Sequence, residues 1–165
     1  MSQKPEPAAS EARSLLDEIR QVFKDVRRGD GVSLHETEII DMYGSDGERR
    51  AARRKDTDQR LWQVQDEWIE KFGGVGGLSF FDEAGFCYYL PAYMSYFLRK
   101  QREPNSLTFH LSRSRWDFDL LFSPAQKVTI ARFLEFVCSK FHDECLAPEV
   151  FNEIWARHLK TDDRT

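Results

Sequence analysis

The sequence predicts a mainly α-helical fold, a single compact helical domain with one small β-hairpin. Apolar residues recur at helical spacing in most segments, which favours amphipathic helices. Several of these segments begin with a Ser or Asp that can cap a helix. Residues 107–122 instead alternate between apolar and polar side chains, which is typical of strands.

Size and composition limit the protein classes that fit. The chain has 165 residues, enough for one domain with a sizeable core. Its 13 Phe and 4 Trp exclude a wholly disordered chain, and its net charge of -4 argues against a strongly basic nucleic-acid binder. We predict a disordered lead over residues 1–9, one helical domain over 10–160 and a frayed tail over 161–165.

The cysteines and the apolar segments predict a cytoplasmic protein. No apolar signal-peptide core is visible at the N-terminus, and the apolar stretch from Phe86 to Leu98 is too short to span a bilayer. Cys87, Cys138 and Cys145 are odd in number and lack paired spacing. This pattern argues against a disulfide framework and favours a reducing compartment.

The first half of the chain predicts two helices and a polar connection. Ser10 is the expected N-cap of a helix with an apolar stripe over residues 15–26. Ser33 and Glu36 form a capping box, so a short helix should follow and end at Gly44. The next residues, up to position 60, are highly polar and include a basic cluster.

The middle of the chain predicts a helix that is apolar nearly all round. Asp66 should cap a short helix, and the glycines at 73–77 form a break after it. Ser79 and Asp82 offer the start of the long central helix. Pro91 removes a backbone donor, so we expect a kink or a break there.

Residues 107–122 are predicted to be the β-hairpin. In the expected register Leu111 faces Trp116, and His110 faces Asp117. Beyond the hairpin, the segment that begins Ser-Pro-Ala-Gln at position 123 is a strong helix start, and a last helix should begin at the proline at position 148.

The segment from Leu78 to Met94 resembles the signature LSFLDxxGFxxYLPAYM of a family of small bacterial proteins of unknown function. Similar strings occur around residues 32–43, 60–69 and 121–126, so the resemblance covers most of residues 15–140. It implies a bacterial origin and a single compact domain. It provides no activity and no catalytic residue to carry over.

The imidazole of His110 and the carboxylate of Asp117 are the candidate catalytic pair. A carboxylate beside an imidazole raises its pKa and fixes its tautomer, which prepares a general base. Ser112 or Ser114 would then be the nucleophile. The alternative is a solvent-facing cross-strand pair without function. The sequence lacks a phosphate-binding loop, a Gly-x-Ser-x-Gly elbow, a His-Glu-x-x-His motif and a Cys-x-x-Cys motif.

Two further clusters contain possible metal ligands. One group, on a short helix, consists of His35, Glu38 and Asp41. The other, on one helix face, consists of Cys138, His142 and Cys145. Acidic residues are common in a first helical turn, and a buried cysteine usually acts as a small hydrophobe. We therefore predict neither a metal site nor a cofactor.

Four tyrosines around Pro91 are the candidate partner-binding residues, because tyrosine is enriched at protein interfaces. They are Tyr88, Tyr89, Tyr93 and Tyr96. The basic run at 49–55 is interleaved with acids and is expected to be a solvated face.

The functional hypothesis is a non-catalytic protein-binding or adaptor domain. The partner is expected to be another protein, without membrane or nucleic acid, and a homo-oligomer stays open. The alternative is a small hydrolase that uses a metal or a His/Asp pair.

Overall fold

The computed structural model describes residues 7–56, 64–72, 77–102, 107–112, 115–141 and 148–160. The described part is mainly helical, as the sequence predicts. Its helices are α1 (Pro7–Val22), α2 (Leu34–Asp41), α3 (Asp46–Arg53), α4 (Asp66–Lys71), α5 (Glu83–Lys100), α6 (Leu107–Ser112), α7 (Phe118–Leu121), α8 (Pro124–Lys140), α9 (Pro148–Ile154) and α10 (Ala156–Leu159). A 3-10 turn (Gly77–Phe80) precedes α5.

Helix α5 is the central element of the core. Asp82 caps it by accepting a hydrogen bond from the Gly85 N–H at 2.8 Å, and every residue from Tyr88 to Leu98 is buried. The helix continues through Pro91, so the break that was one of the two predicted alternatives does not occur, and the kink stays a prediction. It ends at Gln101 in the left-handed conformation. A helix that is apolar nearly all round must be covered by neighbours, and α1 and α4 both pack against it.

Helix α8 packs against α1 and completes the core. Its predicted capping box is confirmed: Ser123 N–H donates to Gln126 Oε1 at 2.9 Å, and Gln126 N–H donates to Ser123 Oγ at 3.3 Å. The buried ring of Phe133 meets Phe97 of α5 edge to face, with ring centroids 5.6 Å apart. This geometry is a favoured one for aromatic pairs.

The predicted β-hairpin is wrong. No strand occurs in the described residues, and the segment instead contains α6 and α7. The alternation misleads because Leu107 and Leu111, both buried, are also four residues apart and so share a helix face. Phe109, which a strand would place on the same face, is 52% exposed. Asp117 caps α7 and accepts a hydrogen bond from the Asp119 N–H at 2.9 Å.

Two other features differ from the sequence-based expectations. Helix α1 begins at Pro7, ahead of the N-cap predicted at Ser10. Cys138 is disulfide-bonded and Cys87 is free, whereas the sequence argued against disulfides. Across the described ranges, no helix has both the length and the apolar character that a membrane span requires.

Candidate functional site

A buried ionic network joins α2 to α3 and includes the buried carboxylates of Glu36 and Asp56. Asp56 follows α3, and its Oδ2 accepts a hydrogen bond from the His35 backbone N–H at 2.7 Å. Its other oxygen, Oδ1, lies 2.7 Å from His35 Nδ1. The Asp56 side chain is only 2% exposed and that of His35 is 13% exposed. One carboxylate therefore both satisfies a free amide in the first turn of α2 and holds the imidazole ring.

Two aromatic side chains enclose the His35 ring. The ring centroid lies 4.9 Å from Trp68 and 4.7 Å from Phe72, both in edge-on contacts. Both belong to the α4 region, so this contact connects α4 to the network. An imidazole held on Nδ1 by a carboxylate has a fixed orientation.

Glu36 is the second centre of the network. Its Oε2 accepts hydrogen bonds from Ser33 N–H at 2.8 Å and from Arg53 Nη1 at 2.9 Å. Arg49 Nη2 lies 3.8 Å from the other carboxylate oxygen, Oε1. The side chain of Glu36 is 5% exposed, so the predicted capping box is also the point where α3 is fixed to α2.

Arg28 adds a buried cation next to helices α2 and α3, which, with the turn between them, we call the α2–α3 hairpin. Its guanidinium donates to the backbone carbonyl of Asp56 at 3.0 Å and to that of Gly31 at 3.2 Å. Nearby, burial and then the negative charge of Asp56 raise the pKa of the Tyr89 hydroxyl above its ordinary value. The hydroxyl of Tyr89, on α5, is therefore neutral.

The turn between α2 and α3 exposes two large side chains. Tyr43 is 96% exposed and Met42 is 63% exposed. Tyr43 has a φ of 55°, which is the left-handed region that side chains of its size seldom adopt. Its N–H donates to Ile40 O at 3.0 Å, and Gly44 N–H donates to Ile39 O at 2.8 Å. The backbone of the turn is thus fixed while both side chains point into solvent.

The four tyrosines predicted to bind a partner lie in the core. Tyr88 and Tyr89 are each 3% exposed, Tyr93 is 0% exposed and Tyr96 is 1% exposed. Tyr96 donates to Glu70 Oε1 at 2.7 Å and accepts a hydrogen bond from an arginine. Their partner-binding role stays a prediction.

The structure separates His110 from Asp117, the predicted catalytic pair. His110 lies on α6 and Asp117 caps α7, and in the described part of the chain no hydrogen bond or ion pair joins them. His110 Nε2 lies 3.4 Å from Ser79 Oγ instead. Burial, and then the charge of Arg115, lowers the pKa of His110. The catalytic role of the predicted pair stays a prediction.

The possible metal ligands do not converge. Among the described residues, no group of three or more His, Cys, Asp or Glu side chains could hold an ion. His35 pairs with Asp56, and Glu38 lies 3.6 Å from Lys71 Nζ. The other candidates, His142 and Cys145, fall outside the described residues.

Sequence reasoning missed four residues of these sites: Arg28, Tyr43, Asp56 and Ser79. Asp56 follows α3, and nothing in the local pattern links it to His35. Tyr43 did carry a signal, since it directly precedes Gly44, the glycine at which the sequence predicts the end of a helix. Residues at such a helix end often face solvent.

The protein is therefore mainly helical in its described part, and buried charges stabilise its α2–α3 hairpin. The chain belongs to a family of unknown function, DUF6714, whose match covers residues 11–157. No curated protein and no solved structure matches the chain. The family relationship bears out the resemblance to a family of unknown function, whereas the bacterial origin and the signature string stay predictions.

Proposed function

We propose that this chain is a protein-binding adaptor domain whose contact surface is the turn between α2 and α3. The observation that carries the proposal is the 96% exposure of Tyr43 at a left-handed backbone position. This conformation costs free energy for a bulky residue, and the ring gains no burial within the chain. A partner that covers Tyr43 and Met42 would provide that burial.

The buried network supports the same proposal because it makes the hairpin rigid. Glu36 and Asp56 fix α2, α3 and the loop before them through charge-assisted hydrogen bonds. A surface that is already ordered loses little conformational entropy when it binds. Aromatic side chains on such surfaces are frequent binding hot spots.

The interface predicted on the four α5 tyrosines would need their buried rings to become exposed. The proposal therefore rests on the fifth tyrosine, Tyr43. The expected class of partner is still another protein, as the sequence analysis proposes.

One contact supports the alternative function, a metal- or His/Asp-dependent hydrolase: the contact between His35 and Asp56. That carboxylate also binds the backbone of α2, and two aromatic rings enclose the imidazole. These contacts favour a structural role for the pair. The free thiol is equally unsuited to catalysis, because burial raises the pKa of Cys87 to about 12.

The test is site-specific photo-crosslinking in cells of the organism that encodes the chain. A benzophenone amino acid replaces Tyr43 in one variant and Leu120, which is 87% exposed on α7, in the control variant. We expect one discrete adduct at position 43 that is absent at position 120. Excess wild-type chain should compete for it, whereas excess Tyr43→Ala chain should not.

The mass of the adduct identifies the partner. An adduct of twice the chain mass would make the partner a second copy of this protein. The absence of an adduct at position 43, or the same adducts at both positions, would contradict the proposal.

A further inference from the structure

We propose that Ser79 and His110 form a nucleophilic site that hydrolyses small carboxylic esters. Ser79 Oγ lies 3.4 Å from His110 Nε2, and the two residues come from separate elements, the 3-10 turn and α6. A hydroxyl and an imidazole at this separation can become a nucleophile and its base, since such contacts shorten when a substrate binds. The site is separate from the proposed binding surface at Tyr43.

The 3-10 turn presents Ser79 outward by burying the two residues before it. Gly77 has no room for a side chain, because a Cβ there would lie 1.9 Å from the Phe72 carbonyl oxygen. Leu78 is 1% exposed and anchors the turn in the core. Ser79, the next residue, is exposed. A tight turn with a buried anchor on one side therefore holds the hydroxyl at the surface, where a substrate can reach it.

The surroundings of His110 favour the form that accepts a proton. The ring is half-buried, and among the described residues Arg115 is the charged group that acts on it. Both effects disfavour the imidazolium and lower the pKa of His110, so its neutral form dominates at pH 7. Arg115 is itself fixed, because its guanidinium donates to the Phe81 carbonyl and lies over the Trp116 ring.

The proposed reaction uses an acyl-serine intermediate. Ser79 Oγ attacks the carbonyl carbon of the ester, and its proton passes to His110 Nε2. The ester C–O bond then breaks, and the same proton goes to the departing alkoxide, which leaves as an alcohol. Water attacks the acyl-serine with His110 as the base, which releases the carboxylic acid and restores Ser79.

The exposed ring of Phe109 points to the substrate class. It is 52% exposed and meets the His110 ring edge to face, with centroids 5.7 Å apart. An apolar surface beside the base favours an ester with a short apolar acyl group. A butyrate ester fits this description, and a highly charged substrate does not.

The test uses an alkyl fluorophosphonate, which forms a P–O bond with an activated serine and releases fluoride. The intact chain is incubated with this probe, and labelling is followed by mass spectrometry and peptide mapping. We expect one label, on Ser79, and no label in Ser79→Ala. His110→Gln should slow labelling by about 100-fold or more. The control Ser14→Ala changes an exposed serine on α1 and should label at the wild-type rate.

Hydrolysis and pH dependence provide further readouts on the same proteins. Wild-type chain should release p-nitrophenol from p-nitrophenyl butyrate, and Ser79→Ala should not. Labelling of the wild type should increase with pH as His110 loses its proton. In Arg115→Gln the acid limb of this profile should move to higher pH, because the cation no longer opposes protonation of His110.

Three outcomes would overturn the inference: no label, a label on another residue, or unchanged labelling in His110→Gln. Unfolding midpoints of all variants exclude a folding defect as the cause. If His110→Gln fails to fold, the pH profiles of the wild type and Arg115→Gln take its place, and identical profiles would contradict the proposal. None of these readouts involves Tyr43, so the two proposals can fail independently.

Discussion

Helix α5 and the α2–α3 hairpin are stabilised in different ways, and each contains tyrosine. In α5 the tyrosine rings are buried, and the core around them is aromatic and aliphatic. In the hairpin the interior contacts are charged, through Glu36 and Asp56, while Tyr43 lies outside. The comparison shows that a residue type's enrichment at interfaces does not assign a particular residue to an interface until the burial of that residue is known. Here the tyrosine rings of the tyrosine-rich helix are buried, and the ring of the isolated Tyr43 is exposed.

The largest expected effect is in the core. Tyr93→Ala should lower the free energy of unfolding by about 3–5 kcal/mol, because it removes a fully buried ring and leaves a cavity. Tyr43→Ala is the matched control and should change it by less than about 0.5 kcal/mol, because the ring makes no buried contact. Urea unfolding measures both values. Similar losses for the two variants would remove the distinction between the regions.

The next effect tests the charged interior of the hairpin. Asp56→Asn should lower the free energy of unfolding by about 1.5–3 kcal/mol, because hydrogen bonds to a charged partner are lost in a buried setting. Asp17→Asn is the control, since Asp17 pairs with Arg20 at 3.3 Å in an exposed position. Its expected loss is less than about 1 kcal/mol. Equal losses of unfolding free energy in the two variants would mean that burial of the network adds nothing to stability.

A smaller effect of opposite sign is expected at the tip of the hairpin. Tyr43→Gly should raise the free energy of unfolding by up to about 1 kcal/mol, because glycine adopts a φ of 55° without strain. Gln101→Gly should raise the free energy of unfolding in the same way, because Gln101 is the other non-glycine residue with a left-handed backbone in the described part of the chain. Thermal unfolding detects both changes. A clear destabilisation of Tyr43→Gly would show that the ring contributes to the fold.

The smallest effect is a pH dependence from His110. Its pKa is lowered in the folded state, so the unfolded state binds the proton more readily. The contribution to stability is full above the unfolded pKa of about 6.5 and is lost as the pH falls below it. His110→Gln should therefore lose less stability than the wild type between pH 7 and pH 5. Parallel curves for the two proteins would contradict this account.

The fold was predictable where local signals agree with tertiary structure. The capping boxes at Ser33 and Ser123 and the cap at Asp82 each start a helix, because side-chain caps act within a few residues. The segment from 107 to 122 was not predictable in this way. A short stretch of alternating apolar and polar residues fits a strand. If two of its apolar residues are four positions apart, it fits a helix equally well, and tertiary packing decides which of the two forms.

The candidate sites were less predictable than the helices. His35 and Asp56 are separated by 21 residues, and Ser79 and His110 by 31. Such pairs form only through the tertiary arrangement, and no local spacing indicates them. His110 was found as a candidate residue, but the assumed hairpin gave it Asp117 as a partner in place of Ser79.

Amide hydrogen exchange in the hairpin tests the central claim most directly, namely that buried charges hold a preformed turn that displays Tyr43. We expect the amides of Met42 and Gly44, which donate to Glu38 O and Ile39 O, to be protected in the wild type. In Asp56→Asn they should exchange much faster, while the α5 amides stay protected. Unprotected amides in the wild-type turn, or equal loss of protection in α5, would contradict the account.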